Sequence, residues 1–391
     1  MNNFEDARNI MIGSVRLQNY KCFEDQLLGF KALTLFSGLN GTGKSSVLQA
    51  LLLLRQSFQQ NLLQTTGLAL NGDLIHIGTA KDALFEGAKE DMIGFELTSK
   101  DGVIKKAWRF NYDRKSDVLD LALKEHDITD AYFRPNSIYF TRLFGSNFHY
   151  LQAERIGPRR FFETSDFLVK QRGQLGSTGE YTVHFLDVFR DQIIFNESMS
   201  HPDAVSLALI DQVEAWLGEV SPGTHITFSP NIITDTISLQ YYFVAGNQVR
   251  SADYRAANVG FGITYVLPIL VAALSSNRGS LLLIENPEAH LHPHGQVKMG
   301  ELLALAASSG VQVIIETHSD HILNGIRLAV HGGKLSPDDV QLHYFQRNPQ
   351  NGQAHVTSPR IDKNGRIDQW PDGFFDEWEK SLSTLLMPGD M

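Results

Sequence analysis

The sequence predicts an α/β fold. A largely parallel central sheet is expected, with an antiparallel β subdomain and a helical, less regular lobe. Three observations predict it. From Phe261 onward, short apolar strands alternate with amphipathic helices, the pattern of a parallel sheet covered on both faces. An apolar strand, Leu33 to Phe36, runs through a glycine-rich loop into a helix, Ser45 to Phe58, that has almost no breakers. Between these regions lie short alternating segments with the period of antiparallel strands.

The elements follow in order. The opening "IGSVRLQNYKCFEDQLLGF" alternates and leads to the first buried strand. "NGDLIHIGTAKDALFEG" is rich in turn residues, and "MIGFELTS", "KAWRFNY" and "VLDLALKE" read as antiparallel strands. "SNFHYLQAERIGPRR" gives a strand ending in a polar, basic loop. Residues 161–254 mix helices ("TVHFLDVFRDQIIF", "DAVSLALIDQVEAWLGEV") with strands ("THITFSP", "ITDTISLQYYFV") and read as an inserted second lobe. The helix "FGITYVLPILVAAL" then precedes the strand "SLLLIE", the helix "GQVKMGELLALAAS", the strand "VQVIIET", the helix "DHILNGIRLAV" and the strand "DVQLHYFQR". The expected divisions are 1–160, 161–254, 255–335 and a tail, 336–391.

Composition bounds the function. The 391 residues carry 42% hydrophobic and 20% charged side chains, as soluble globular proteins do. A formal net charge of -10 argues against a generally basic DNA-binding surface. The single cysteine, Cys22, rules out a disulfide framework and suits the cytoplasm. The N-terminal "MNNFEDARNIMIGS" lacks the pattern of a secretory signal. The longest apolar run, Phe261 to Leu274, falls short of the roughly 20 residues that cross a bilayer, so no membrane partner is expected.

"GLNGTGKS", from Gly38 to Ser45, fits G-x-x-x-x-G-K-[ST] between a strand and a helix. Glycines at 38, 41 and 43 let backbone N–H groups, Asn40 among them, face phosphate oxygens, and the helix N-terminus with Ser46 adds its dipole. Lys44 is expected on the β- and γ-phosphates and the Ser45 hydroxyl on Mg²⁺. "LLLIENPE" then delivers Glu285 from the end of a buried strand, the best-placed acid to hold that metal. Asn286 stands where a water-activating carboxylate is usual, and Glu288 is the next acid along. His290, His292 and His294 alternate but have no supporting ligands, so a tight turn is the better reading. His318, past the next buried strand, can contact phosphate or orient water.

These motifs resemble the ABC-type ATPase heads of the structural-maintenance-of-chromosomes and overcoming-lysogenization-defect kind. More narrowly, they resemble bacterial AAA-family ATPases with a C-terminal domain of unknown function 3696. The matching stretches are "GLNGTGKSS", "YLQAERIGP", "NVGFGITYVLPIL", "LLLIENPEAHLHPHGQ", "IIETHSDHILNGIR" and "NGRIDQWPDGFFDEWEKSLSTLL". The resemblance implies a P-loop NTPase of ABC-ATPase head type with ATP and Mg²⁺ as cofactors. It implies that Asn258 and Gly260 lie in a signature loop facing the γ-phosphate of an opposing subunit. Gln152 would be the Q-loop residue that senses Mg²⁺ and water, "HLHP" the D-loop, and His318 the switch histidine. Such heads close on ATP as a head-to-tail homodimer or higher oligomer.

The expected function is therefore a slow ATPase that passes its nucleotide state to a separate effector, such as a nuclease in bacterial phage defence or DNA maintenance. The alternative is a nucleotide-gated scaffold with negligible hydrolysis, motivated by Asn286. "ERIGPRR" offers Arg155, Arg159 and Arg160 to phosphate in DNA or nucleotide, or is a solvated basic loop. A built-in nuclease would need a carboxylate cluster, and Asp372, Asp376, Glu377 and Glu379 read instead as a solvated helix face.

Overall fold

The computed structural model describes residues 10–122, 137–246, 249–348 and 353–387. Its centre is a six-stranded sheet built from β1 (Leu33–Gly38), β2 (Phe148–Leu151), β3 (Leu281–Glu285), β4 (Gln312–Glu316), β5 (Val340–Arg347) and β6 (Ala354–Thr357). The spatial order is β6-β5-β1-β4-β3-β2. All are parallel except β6, which runs antiparallel to β5. Four helices connect or flank these strands: α1 (Lys44–Gln59), α2 (Phe261–Ser275), α3 (Pro293–Ser308) and α4 (Asp320–His331).

The two faces of the sheet follow from the period-2 alternation of its side chains. Leu33, Leu35, Leu282, Ile284, Val313 and Ile315 face one core, shared with α2, α3, α4 and the second lobe. Phe36, Leu281, Leu283 and Ile314 face the other, shared with α1 and the antiparallel subdomain. A strand buried on both sides has no polar alternation, which is why "LLLI" and "VII" read as continuous apolar runs.

The antiparallel sheet has the order Phe23–Gly29, Ile12–Tyr20, Met92–Ser99, Lys105–Asn111. Of "VLDLALKE", Val118–Asp120 pairs with Gly67–Ala69, and the part from residue 123 lies outside the described residues. In the second lobe, the strands Thr224–Asn231 and Thr236–Phe243 form a hairpin beside the helices Thr182–Phe189 and Leu209–Gly218. Both helices are shorter than their apolar patterns suggest. The first stops because Ile193 forms a bridge with Ala208, and Ile194 N–H donates to Leu207 at 3.0 Å. Tertiary pairing there overrides helix propensity.

The stretch from residue 336 is not a loose appendage, since β5 and β6 belong to the central sheet. β5 lies directly against β1, with Val340 opposite Leu33 and Phe345 opposite Gly38. Among the described residues, no helix is long and apolar enough to cross a membrane.

Candidate functional site

The site gathers at the C-terminal ends of β1, β4 and β3, the usual location for ligands in an open parallel sheet. Gly38, Gly41 and Gly43 have φ of 136°, 72° and 110°, values that favour glycine. At Gly38 and Gly43 there is also no room for a side chain. A Cβ on Gly38 would lie 2.2 Å from the Phe345 carbonyl oxygen, and one on Gly43 2.6 Å from Cys22 Sγ. Asn40 and Gly41 form the exposed crest, and the Cys22 thiol donates to the Thr42 carbonyl at 4.0 Å.

Lys44 is 3% exposed and folds back over the loop, donating to the carbonyls of Gly38 (2.9 Å) and Leu39 (2.8 Å). Burial holds its ammonium below the ordinary lysine value, against the pull of Glu316 and Glu288. The Ser45 hydroxyl donates to Glu316 Oε1 at 2.9 Å. Glu285 is the expected metal acid, and Glu316 is the carboxylate that lies against Ser45 here. β4 stands between β1 and β3, so the strand end beside Ser45 is the one carrying Glu316.

Glu285 sits in register with Glu316 on the next strand. Its Oε1 accepts from the Tyr150 hydroxyl (2.9 Å) and its Oε2 from the Ala153 N–H (3.1 Å). Glu285 therefore clasps the loop that carries Gln152, whose own N–H donates to Ser177 at 2.9 Å. Burial raises the Glu285 carboxyl above its ordinary value. Glu316 is pushed up to about 7, by burial first and then by Glu285 and Glu288, against the hydrogen bond from Ser45 and the charge of Lys44.

Asn286 has φ 46°, and its N–H donates to the Glu316 carbonyl at 2.8 Å. Glu288 accepts from Thr317 Oγ1 (2.7 Å) and from the His318 N–H (2.8 Å), tying the loop after β3 to the end of β4. The His318 side chain is exposed. Partial desolvation and the nearby Lys44 charge hold its imidazole below the ordinary value, opposed by Glu288. The structure thus brings Lys44, Ser45, Glu285, Asn286, Glu288 and His318 to one rim.

Asn258 ends a short 3-10 turn, and Gly260 is the N-cap of α2. This helix start packs on the turn after β3. A Cβ on Gly262 would lie 2.3 Å from the His290 carbonyl oxygen, and Phe261 and His290 rings are 4.5 Å apart. The three histidines diverge. His290 packs on Phe261 and Tyr265, His292 caps α3, and His294 Nε2 meets Glu219 at 3.1 Å. Among the described residues, no group of three or more His, Cys, Asp or Glu is arranged to hold a metal ion.

The phosphate-contact reading of Arg155 is overturned. Arg155 is 4% exposed, and its guanidinium lies 4.7 Å from the Tyr265 ring. It donates to the backbone carbonyls of Gln152 (3.1 Å), Glu285 and Asn286 (2.7 Å). Arg159 and Arg160 remain exposed. Sequence reasoning also missed Glu316 and Arg347. The signal for Glu316 was present, because "VIIE" ends a buried strand in the same way as "LLIE".

The residues fit a magnesium-type cation. Such an ion takes one or two carboxylates and a hydroxyl while nucleotide phosphates and water fill the rest. Ser45 and Glu316 supply that pair, and Glu316 Oε2 is buried without a hydrogen-bond partner.

Comparison with known families agrees with this geometry. "AAA ATPase domain" matches residues 11–160. "AAA domain, putative AbiEii toxin, Type IV TA system" matches residues 233–324. Both matched stretches are thus similar to AAA ATPase domains. The "Protein of unknown function (DUF3696)" family follows them at residues 335–385, the stretch that supplies β5 and β6 to the ATPase sheet. No curated protein matches the sequence significantly. Among solved structures, the SMC head bound to the C-winged helix domain of ScpA is 12% identical, with a TM-score of 0.47 over 90% of this chain and 99% of that one. The SMC head domain from Thermotoga maritima is 14% identical, with a TM-score of 0.43 over 90% and 100%. An SMC head with an extended coiled coil, bound to the C-terminal domain of ScpA derived from Pyrococcus furiosus, is 12% identical, with a TM-score of 0.45 over 96% and 100%.

Proposed function

We propose that the chain binds ATP with Mg²⁺ on the loop at residues 38–46, hydrolyses it slowly, and uses the ATP-bound state to control a separate effector. The observation that carries this reading is the juxtaposition of Lys44, Ser45 and Glu316 at a loop shaped by three left-handed glycines. Lys44 is to leave the Gly38 and Leu39 carbonyls for the phosphates. Bound Mg²⁺ supplies charge neutralisation to the phosphate oxygens. The Asn286 amide orients water by hydrogen bonds but cannot take its proton near neutral pH. Glu288 and His318 flank it. Phosphoryl transfer depends mostly on positioning and charge, so a weak base slows turnover without stopping it. Phosphate release by the purified chain, above that of Lys44→Ala, tests this reading.

Closure as a head-to-tail homodimer is part of the proposal. Asn258 and Gly260, at an exposed helix start, would then face the partner's phosphate loop. ATP can favour only a closed state that binds it better. Light scattering with and without ATP tests this, and a mass that never changes would sink it. The effector reading, a nuclease in phage defence or DNA maintenance, rests on the family resemblance, and co-purification with and without ATP tests it. Direct DNA contact is left to Arg159 and Arg160.

A nucleotide-gated scaffold is favoured by one observation: both oxygens of Glu288 already accept protein hydrogen bonds, beside an amide at 286. ATP-dependent assembly with phosphate release no higher than in Lys44→Ala would select it.

A further inference from the structure

The last described helix, α5 (Glu377–Leu385), is turned inside out. Its charged side anchors it to the rest of the chain. Lys380 reaches back to Asp372 and, at 3.0 Å, to Asp376, and Asp376 Oδ2 accepts from the Gly373 N–H at 3.0 Å. That turn is fixed in its own right to β5. The Asp372 carbonyl accepts from the Tyr344 hydroxyl (3.2 Å) and from Gln346 Nε2 (2.8 Å), and the buried Phe374 ring lies 5.3 Å from the Tyr344 ring. Trp378, Leu382, Leu385 and Leu386 stand at i, i+4, i+7 and i+8, which puts them on one stripe opposite Asp376 and Lys380. The Leu386 N–H still donates to the Leu382 carbonyl, so the helical turn carries the stripe to its end. These four side chains are between 40% and 80% exposed, and Met387 beyond them is exposed too. A surface helix ordinarily buries its apolar stripe and turns its charges to water. Here the charges hold the helix and the stripe is left open.

The stripe presents roughly 500 Å² of apolar side chain to water, the upper range for the largest patch on a monomer. Two such stripes face to face would bury about 1,000 Å², the size at which specific interfaces begin. The segment "SLSTLLM", residues 381–387, carries no charge, so two copies meet there without like-charge repulsion. Antiparallel packing opposes the two helix dipoles and keeps Asp376 and Glu377 of the two copies at opposite ends. A membrane surface is a poor match. Interfacial helices carry a basic polar face, whereas Lys380 is already engaged by two aspartates.

We propose that α5 pairs with α5 of a second copy of this chain, antiparallel about a two-fold axis near Leu382 and Leu385. The pairing needs no nucleotide and uses a surface separate from the ATP-dependent closure proposed above.

Sedimentation of the full chain at micromolar concentration tests it. All runs omit nucleotide, so that head-to-tail closure does not contribute. Wild type and Lys44→Ala are both expected at twice the mass of one chain. Leu385→Glu combined with Leu386→Glu is expected to raise the dimer dissociation constant about tenfold or more. Both side chains already face water within one chain, so the melting of this variant at low concentration should match wild type. Val103→Glu, at an exposed position of the antiparallel subdomain, should leave the mass unchanged. A wild type at the mass of one chain overturns the pairing, whether the stripe then proves to bind anionic vesicles or a different protein. A double-mass species that persists unweakened in the Leu385→Glu, Leu386→Glu variant overturns it as well, because the copies then meet elsewhere.

Discussion

Arg347 lies across the phosphate loop, donating to the Gly41 carbonyl through Nη2 at 3.0 Å and Nε at 3.3 Å. It is the last residue of β5, so a segment of unknown function forms one wall of the nucleotide loop. The contact fixes the exposed crest of the loop without burying a charge. Arg347→Ala is expected to weaken nucleotide binding about threefold, the value of one exposed charge-assisted hydrogen bond. Its melting temperature should barely move. Binding titration checks this, and unchanged affinity would mean that the guanidinium merely rests on the loop.

The same wall makes Gly38 intolerant. Its φ is 136°, and an added Cβ would meet the Phe345 carbonyl at 2.2 Å. Neither strand can retreat, because both are paired in the sheet centre. Gly38→Ala should cost about 3 kcal/mol through strain and clash. Gly102, with φ 72° and open space around its Cα, supplies the control. Gly102→Ala should cost about 1 kcal/mol from backbone strain alone. Denaturant unfolding of the pair measures the difference.

The strands and the phosphate loop were legible in the sequence because each depends on neighbours close in the chain. β1, the loop and α1 are contiguous, and glycine spacing reports the left-handed positions directly. Glu316 was passed over because its partner, Ser45, is 271 residues away and the eye goes to His318 beside it. Arg155 was misread for the same reason. In "ERIGPRR" it looks solvated, and only the packing of Tyr265 from α2 reveals that it is buried. Both errors concern polar side chains whose burial is decided by distant segments, information that local patterning does not hold.

Arg155 braces the site from below. Removing it leaves the carbonyls of Gln152, Glu285 and Asn286 without their shared donor. Arg155→Met fills similar volume but satisfies none of them, and should cost about 3 kcal/mol. Turnover should fall with it, because the backbone at 285 and 286 loses its anchor. Arg159→Ala, at an exposed position, should stay within about 0.5 kcal/mol of wild type. Chemical denaturation and phosphate release on both variants check the contrast. Equal stability of the two would refute the brace.

Acid should unfold the protein partly through His343. This imidazole is 3% exposed in β5, with Nε2 2.8 Å from the Gly29 carbonyl and Nδ1 2.8 Å from Ser358 Oγ. The ring must be neutral, donating to Gly29 through Nε2 and accepting from Ser358 at Nδ1. Burial lowers its pKa from 6.5 to about 4, and His149 is lowered likewise. An unfolded chain therefore takes up the proton first. The stability is fully present above about pH 6.5 and is lost as pH falls through about 4, up to about 3 kcal/mol for His343. His343→Gln should show a shallower fall in melting temperature across that window. Parallel slopes for variant and wild type would remove His343 from the acid transition.

Asn286 has two physical reasons to be asparagine, and substitution separates them. Its φ of 46° lies in the left-handed region, which asparagine tolerates better than glutamate does. Its amide is also the group proposed above to hold the water. Asn286→Gly keeps the backbone and removes the amide, so turnover should fall while stability stays within about 0.5 kcal/mol. Unchanged turnover would mean that the backbone alone selects the residue. Asn286→Glu restores a carboxylate at the cost of about 1 kcal/mol of left-handed strain. It should still speed hydrolysis, because a base at that point can accept the proton that an amide cannot. If Asn286→Glu leaves the rate unchanged while Glu288→Gln abolishes it, Glu288 handles the water despite its bonds to Thr317 and His318, and position 286 serves the turn.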